Sequence, residues 1–216
     1  MTLYHFSTND FQAMQTDGLD MRMEHIRETV QPKFLSFAEQ LTPFLAKETG
    51  RPFYAHLAKH ARRTVNPPES TWIAFSCDRR SYKKYPHFQL GIWETHVFFW
   101  LAIIDDYPAK PAFADFLLSH EQEIMQQIPT DFMWSPDHTQ PKTFKQGTLT
   151  PNERHHLFQR LHDIKKAELL CGLTLTPKAI QTITGEQLLK EIQQAAHQLM
   201  PLYRTALTTM HENNLV

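Results

Sequence analysis

Glycine is scarce in this chain, with 6 among 216 residues. That leaves little room for loops that cradle phosphate on bare backbone. Neither GxGxxG nor GxxxxGK[ST] occurs, so the two common nucleotide fingerprints are missing. Cysteine is scarcer still. Cys77 and Cys171 stand 94 positions apart in apolar surroundings, which predicts two reduced, buried thiols. Without CxxC or HExxH no metal site is expected, and no cofactor either. Long apolar runs are also lacking. The longest, "VFFWLAII" at 97–104, is eight residues, against the roughly 20 that a spanning helix needs. The opening "MTLYHFSTNDF" has no basic stretch followed by an apolar one, so no leader is expected and the reading is cytoplasmic, with no membrane partner.

What is present is apolar mass and rings. Hydrophobic residues make up 41% of the chain, with 15 Phe and 4 Trp, against 21% charged residues and a net charge of −1. That is the composition of a globular protein, and nothing divides 1–216 into more than one domain. Ser7 or Thr8 caps a short helix in "FSTNDFQAM", with Asp10 near its positive end. From Leu19 through Met23, Ile26, Val30, Phe34, Phe37 and Leu41 to Leu45, apolar residues recur at steps of three and four, the helical period. Pro32 and Pro43 fall inside that stripe and predict a kink or break.

The period then changes. "FYAHLAKHARR" (53–63) favours a strand, with a helical turn as competitor, and "TWIAFSC" (71–77) follows the rigid "NPP" as a strand would. "HFQLGIW" (87–93) alternates, and "THVFFWLAII" (95–104) is apolar on both faces; the two form an antiparallel hairpin. A two-residue turn, Glu94-Thr95, sets Gly91 opposite Phe98 and leaves room for the ring. One face then carries His87, Gln89, Trp93, His96, Phe98 and Trp100. The stretch 110–128 reads as one helix, and "DFMWS" and "KTFKQGT" as short edge strands. Thr150-Pro151-Asn152-Glu153 is a capping box opening a helix that Gly172 is expected to end. Thr176-Pro177 starts a short helix, and Thr184 to Gln187 is a second capping box before a long one. Helices, then antiparallel strands, then helices indicate an α+β domain, a sheet of about five or six strands layered with helices. The doubly apolar strand at 97–104 needs its second face covered by helix, ligand or another copy of the chain, so a homodimer is one expectation.

The segments "GLDMRMEHIRETVQPKF", "KHARRTVNPPESTWIAFS", "RRSYKKYPHFQLGIWETHVFFWLAII", "FMWSPDHTQPK" and "IKKAELLCGL" occur in this order. Together they resemble the YktB-like family of bacterial proteins, over roughly Phe6 to Arg204. The resemblance implies a single cytoplasmic α+β domain, an antiparallel sheet layered with helices, and brings no catalytic residues with it.

Function has to be sought in charge. Between residues 59 and 84 stand seven cations against Glu69 and Asp78, a net +5, so the remainder must carry −6. Such asymmetry creates a local potential that attracts anions. Lys59, Arg62, Arg63, Arg79, Arg80, Lys83 and Lys84 are the candidates to hold one, with His60 as an added donor and His87, Gln89 and Trp93 facing it from the strand. A phosphate-bearing small molecule or a nucleic acid is the expected ligand. The competing view is a solvated sheet edge kept from aggregating by its lysines. Two further classes stay open: an enzyme using a histidine of the same face on a small anionic substrate, and a homodimeric interaction protein. Carboxylates adjoin or neighbour histidines at Glu94/His96 and Asp137/His138, and Asp105-Asp106 ends a strand; neighbours in sequence rarely have catalytic geometry. His155, Gln159 and His162 share one helix face without metal-binding spacing.

Overall fold

In the computed structural model, residues 5–213 are described. The leader reading rests partly on Met1–Tyr4, which lie outside them. Seven strands form one antiparallel sheet in the order β1-β2-β3-β4-β7-β5-β6. They are β1 (Tyr54–Leu57), β2 (Ser70–Ser76), β3 (His87–Trp93), β4 (Val97–Ile103), β5 (Met133–Ser135), β6 (Phe144–Lys145) and β7 (Leu169–Leu175). Before the sheet come α1 (Thr8–Ala13), α2 (Leu19–His25) and α3 (Gln31–Thr49). After β4 come α4 (Lys110–Ser119), α5 (Glu121–Gln127), α6 (Pro151–Asp163), α7 (Pro177–Ile180) and α8 (Gly185–Glu212). The chain is thus α+β, as the order of its periodicities predicts.

One sheet face carries the core. Phe88, Leu90 and Ile92 of β3 and Phe99, Leu101 and Ile103 of β4 are buried there with Phe34, Phe37 and Leu41 of α3 and Ile192, Leu199 and Tyr203 of α8. Helix α3 lies across β1 and β2, and α8 across β4 and β7. Phe88 stacks between Phe99 (5.5 Å) and Tyr203 (5.4 Å), so the layers interlock through rings. Each ring of this size contributes about 1.5–3 kcal/mol by leaving water.

The other face is closed by the chain's own loops. Trp93, Phe98, Trp100, Ala102 and Leu170 form a second, smaller apolar cluster, joined by Trp72 and by Tyr82 from the β2–β3 loop. His60 of the β1–β2 loop and His138 of the β5–β6 loop pack edge-on against Trp72, at 5.5 and 5.6 Å. Burying these rings is what draws three polar loops over the sheet.

The hairpin takes the two-residue turn. Gly91 pairs with Phe98, and the Trp93 N–H donates to the His96 carbonyl at 2.8 Å. A Cβ on Gly91 would overlap the Phe98 ring, so only glycine fits. Both capping boxes form: Thr150 with Glu153, and Thr184 with Gln187. At α1 the Ser7 N–H donates to Asp10 Oδ2 at 2.6 Å, while Lys33 pairs with the same carboxylate.

Four expectations are corrected. The helix after Thr150 ends at Asp163 and not at Gly172, which lies mid-strand in β7 opposite Trp100. A Cβ there would overlap the Phe99 carbonyl, so this glycine serves close strand approach and not a helix cap. "LLCGLTL" is a short apolar run whose period alone does not separate strand from helix. It adds a seventh strand to the five or six expected. Neither proline breaks the first long stripe. The chain widens into one π turn at Ile26–Val30, just ahead of Pro32, and Pro43 sits inside α3. A widened turn relieves the carbonyl and ring crowding that a proline imposes. Finally, 110–128 is two helices, broken at His120, whose ring stacks on Phe116 at 4.3 Å.

Candidate functional site

The loop-covered face brings the chemistry-bearing residues together. Lys59, Arg62 and Arg63 lie on the β1–β2 loop, and Arg79, Arg80, Lys83 and Lys84 on the β2–β3 loop; all seven are exposed. Among the described residues no carboxylate lies within ion-pair distance of any of them. Arg63 donates to the carbonyls of Asn66 (3.3 Å) and Pro67 (3.2 Å), bracing its own loop. Asp78, the acid among these cations, accepts the backbone N–H groups of Arg80 (2.6 Å) and Ser81 (2.9 Å). Those bonds hold its pKa below the ordinary value and spend the carboxylate on shaping the loop.

His60 adopts φ 49°, the left-handed region that a side chain rarely takes. That turn swings its ring onto Trp72 and lets Nε2 meet Thr71 Oγ1 at 3.1 Å. Burial first, and Arg63 second, lower its pKa to about 4. From the other loop Tyr82 covers His87 at 4.8 Å and His56 at 5.7 Å, so its flanking cations project outward while its ring points in. Burial raises its pKa. The Trp72 indole N–H lies beside the Tyr82 side chain without hydrogen-bond geometry.

His87, Gln89 and Trp93 sit beneath these loops and not on the surface with the cations. His87 is wholly buried; Nδ1 donates to the Tyr85 carbonyl at 2.8 Å, and Nε2 accepts from the Gln89 amide at 2.9 Å. With both nitrogens bonded in this way and burial pushing its pKa down to about 3, the ring is neutral and fixed. Trp93 is buried with its indole N–H unpartnered, as is Nε2 of His96. Of the three strand residues expected to face an anion, His87 and Gln89 are buried beneath the loops, and Trp93 borders the cavity at the hairpin end.

What the residue patterns left unassigned is the partner of His138. Asp137 does not orient it. Asp137 Oδ1 accepts from Thr139 N (2.8 Å) and Oγ1 (2.7 Å), an Asx turn. Instead Glu168, buried just before β7, accepts both the backbone N–H (2.8 Å) and Nδ1 (2.6 Å) of His138 on Oε2. Its Oε1 takes the Asp105 N–H at 3.3 Å. Burial works against the charged ring, but Glu168, with Asp137 and Asp105, raises the His138 pKa on balance. Lys110, buried nearby, donates to the carbonyls of Asp105 (2.8 Å), Ala167 (3.2 Å) and Lys165, pinning the turns that carry Asp105 and Glu168. Donor atoms of Asp137, His138 and Glu168 lie within 4.8 Å of one another. Their hydrogen bonds to Thr139 and to each other already account for that closeness. Glu168 was hidden because it is 30 residues from His138 and introduces the strand misread as helix.

Two larger cavities flank the β5–β6 loop. One, about 500 Å³, lies against α6 and is lined by Asp137, Lys142, His156 and Arg160 among others. The second, about 480 Å³, lies at the hairpin end beside Arg22, Glu69 and Trp93. None of the seven loop cations lines either one. Two of the three histidines of α6 are tied to carboxylates, His155 to Glu121 at 2.9 Å and His162 to Asp163 at 2.7 Å, while His156 lines the first cavity. No described helix is long and apolar enough to cross a membrane.

This is an antiparallel α+β protein with a histidine-rich sheet face roofed by basic loops. Residues 6–203 match the family model described as "Domain of unknown function (DUF1054)". The chain is 43% identical over 203 residues to a UPF0637 protein of Bacillus cytotoxicus, covering 94% of this chain and 98% of that one. A UPF0637 protein of Bacillus velezensis is likewise 43% identical, over 94% and 97% of the two chains. The chain belongs to this DUF1054/UPF0637 family.

Proposed function

We propose that the protein binds nucleic acid through the basic loops between β1 and β2 and between β2 and β3. The observation that carries this reading is the state of the seven cations: exposed, without carboxylate partners among the described residues, and outside the larger cavities. Cations bunched this way repel over a Debye length of about 8 Å, and a polyanion relieves that repulsion. A phosphate-bearing small molecule fits less well, since it would need a cleft lined by these side chains. The two loops also meet over one indole, through His60 and Tyr82, so their charges frame a common surface.

Fluorescence anisotropy with labelled duplex and single-stranded oligonucleotides, titrated at several salt concentrations, tests the reading. If four phosphates of a duplex are neutralised, log K should fall with log salt with a slope of about −3.6. Lys83→Gln with Lys84→Gln should reduce that slope by roughly two. No binding at low salt, or a slope untouched by the double variant, overturns it. Should nucleic acid fail while millimolar phosphate raises Tm, the anion reading survives with a small ligand in place of a polymer.

A second reading, an enzyme acting on a small anionic substrate, is favoured by one observation. Glu168 binds Nδ1 of His138 and leaves Nε2 without a hydrogen-bond partner among the described residues, the arrangement of an oriented acid–base group. A homodimer loses its motive, because the second face of β4 is covered by the same chain.

A further inference from the structure

We infer that His138, oriented by Glu168, is the donor for a terminal phosphate group at the place where the three loops meet on Trp72. The inference rests on the reading of the basic loops as phosphate-binding, and adds a particular chemical group to it.

The argument begins with how completely Glu168 is used. One oxygen holds both the main chain and Nδ1 of His138, and the other holds the Asp105 N–H. The imidazole therefore has one orientation, with Nδ1 inward and Nε2 away from the carboxylate. Among the described residues Nε2 has no hydrogen-bond partner in the protein, and about a fifth of the side chain reaches the surface. A buried carboxylate spent on fixing a ring whose second nitrogen has no protein partner is a costly arrangement unless that nitrogen has something to meet.

The ring's setting says what that would be. His138 stands edge-on to Trp72, as does His60 of the first basic loop, and Tyr82 of the second basic loop joins the same cluster. The rings of all three loops thus gather on one indole, and two of those loops carry the seven cations. A terminal phosphate carries a second charge that a backbone phosphate lacks, so it gains more from a charged donor beside those loops. The groups facing His138 are Glu168, Asp137 and Asp105, all acidic, with His87 on the sheet and Lys110 beyond Glu168. The acids favour the charged ring, and protonation turns Nε2 from an acceptor into a donor. A phosphate oxygen then receives a charge-assisted hydrogen bond. Once the ring is neutral, with its proton on the Glu168 side, the same nitrogen offers a lone pair and repels the phosphate.

The test compares oligonucleotides of one sequence carrying a 5′-phosphate, a 3′-phosphate or no terminal phosphate, at pH 7 and pH 9. The phosphate is ionised at both, its second pKa being about 6. At pH 7 one phosphorylated end should bind about tenfold tighter than the bare end, the scale of one charge-assisted hydrogen bond. That preference should vanish at pH 9, and also in His138→Gln, while the salt slope set by the loops stays as it was. Glu168→Gln should move the loss of preference to lower pH. If that buried change prevents folding, His138→Gln decides alone, its fold checked by circular dichroism. Equal binding of phosphorylated and bare ends at pH 7, or a preference that survives His138→Gln, overturns the inference. If no oligonucleotide binds, Tm is read against inorganic phosphate. A rise present in the wild type and absent in His138→Gln supports the subsite while the nucleic-acid reading fails; no such difference overturns the subsite too.

Discussion

The two faces of the sheet are made by the same strands, residue by residue in alternation, yet they are different materials. On the helix side Phe88, Leu90, Phe99 and Leu101 meet apolar rows of α3 and α8, and ring packs on ring. On the loop side His87, Gln89, Trp93 and Trp100 meet segments of polar chain, and each polar atom has to be settled individually. Three of them, the indole N–H groups of Trp72 and Trp93 and Nε2 of His96, are left without a partner among the described residues. A core that is merely apolar tolerates exchange of similar volumes, whereas a hydrogen-bonded one fails when a single member is lost. The helix face thus gains its stability from apolar packing, and the loop face depends on individual polar contacts.

The largest test of that contrast is truncation on the helix side. Phe99→Ala and Leu101→Ala should each cost about 2–5 kcal/mol in denaturant titrations, since both open cavities among buried rings. A loss below about 1 kcal/mol for either would contradict the assignment of stability to this face. The loop side should instead show itself through pH. His87, with a folded pKa of about 3, and His60 and His96, near 4, bind protons more readily once unfolded, where the value is near 6.5. For these groups the unfolded state takes up more protons below pH 6.5, so their contribution to stability is complete above that value. It is lost as pH falls through 6.5 toward 3. Urea titrations between about pH 7 and 4 should show a falling midpoint, and His87→Gln should flatten the slope. An identical slope in the variant would mean that the buried ring is not the cause. His138 has the opposite sign. Its raised pKa makes its contribution complete below about 6.5 and lost as pH rises through the folded value.

Thr150→Ala belongs to neither face and serves as a reference. It removes one N-cap, in which the Glu153 N–H donates to Thr150 Oγ1 at 3.3 Å, and should cost about 1 kcal/mol. If it proves more damaging than Leu101→Ala, the central position of β4 in the stability of the fold is wrong. The smallest effect is expected from Lys83→Gln with Lys84→Gln, within about 0.5 kcal/mol, because both side chains are exposed without ion pairs. A larger loss measured by thermal unfolding would show that these lysines support the fold as well as the surface.

The hairpin was legible because it obeys local rules. Two turn residues set the register, and Gly91 marks where a ring must lie. Helix starts were legible for the same reason, since each capping box is written within four residues. Strand β7 was not, because a seven-residue run with five apolar side chains suits a buried strand or a helix equally, and only the neighbouring β4 and β5 decide. Its misreading also concealed the site's electrostatics. A carboxylate placed on a helix end has no reason to meet His138, whereas one at the mouth of a central strand does. The loop cations were legible as charge, but the roof formed by Tyr82, His60 and His138 was not. That roof is a response to Trp72, Trp93 and Trp100 lying on one face, which requires the pairing of β2, β3 and β4 to be known first.

The π turn at Ile26–Val30 bears on how the chain tolerates changes in length. A π turn holds one residue more than the regular helical turn it replaces, so it takes up the extra residue without rotating the helix beyond it. The apolar row before it, from Leu19 and Met23, and the row after it, from Phe34 to Leu45, both stay turned into the same core. A chain lacking one residue within 26–30 could close this turn to the ordinary pitch and keep both rows in phase. The same loss in the middle of α3 would swing every later side chain by about 100°. Gains and losses of single residues are thus far better absorbed at this turn than anywhere along α3.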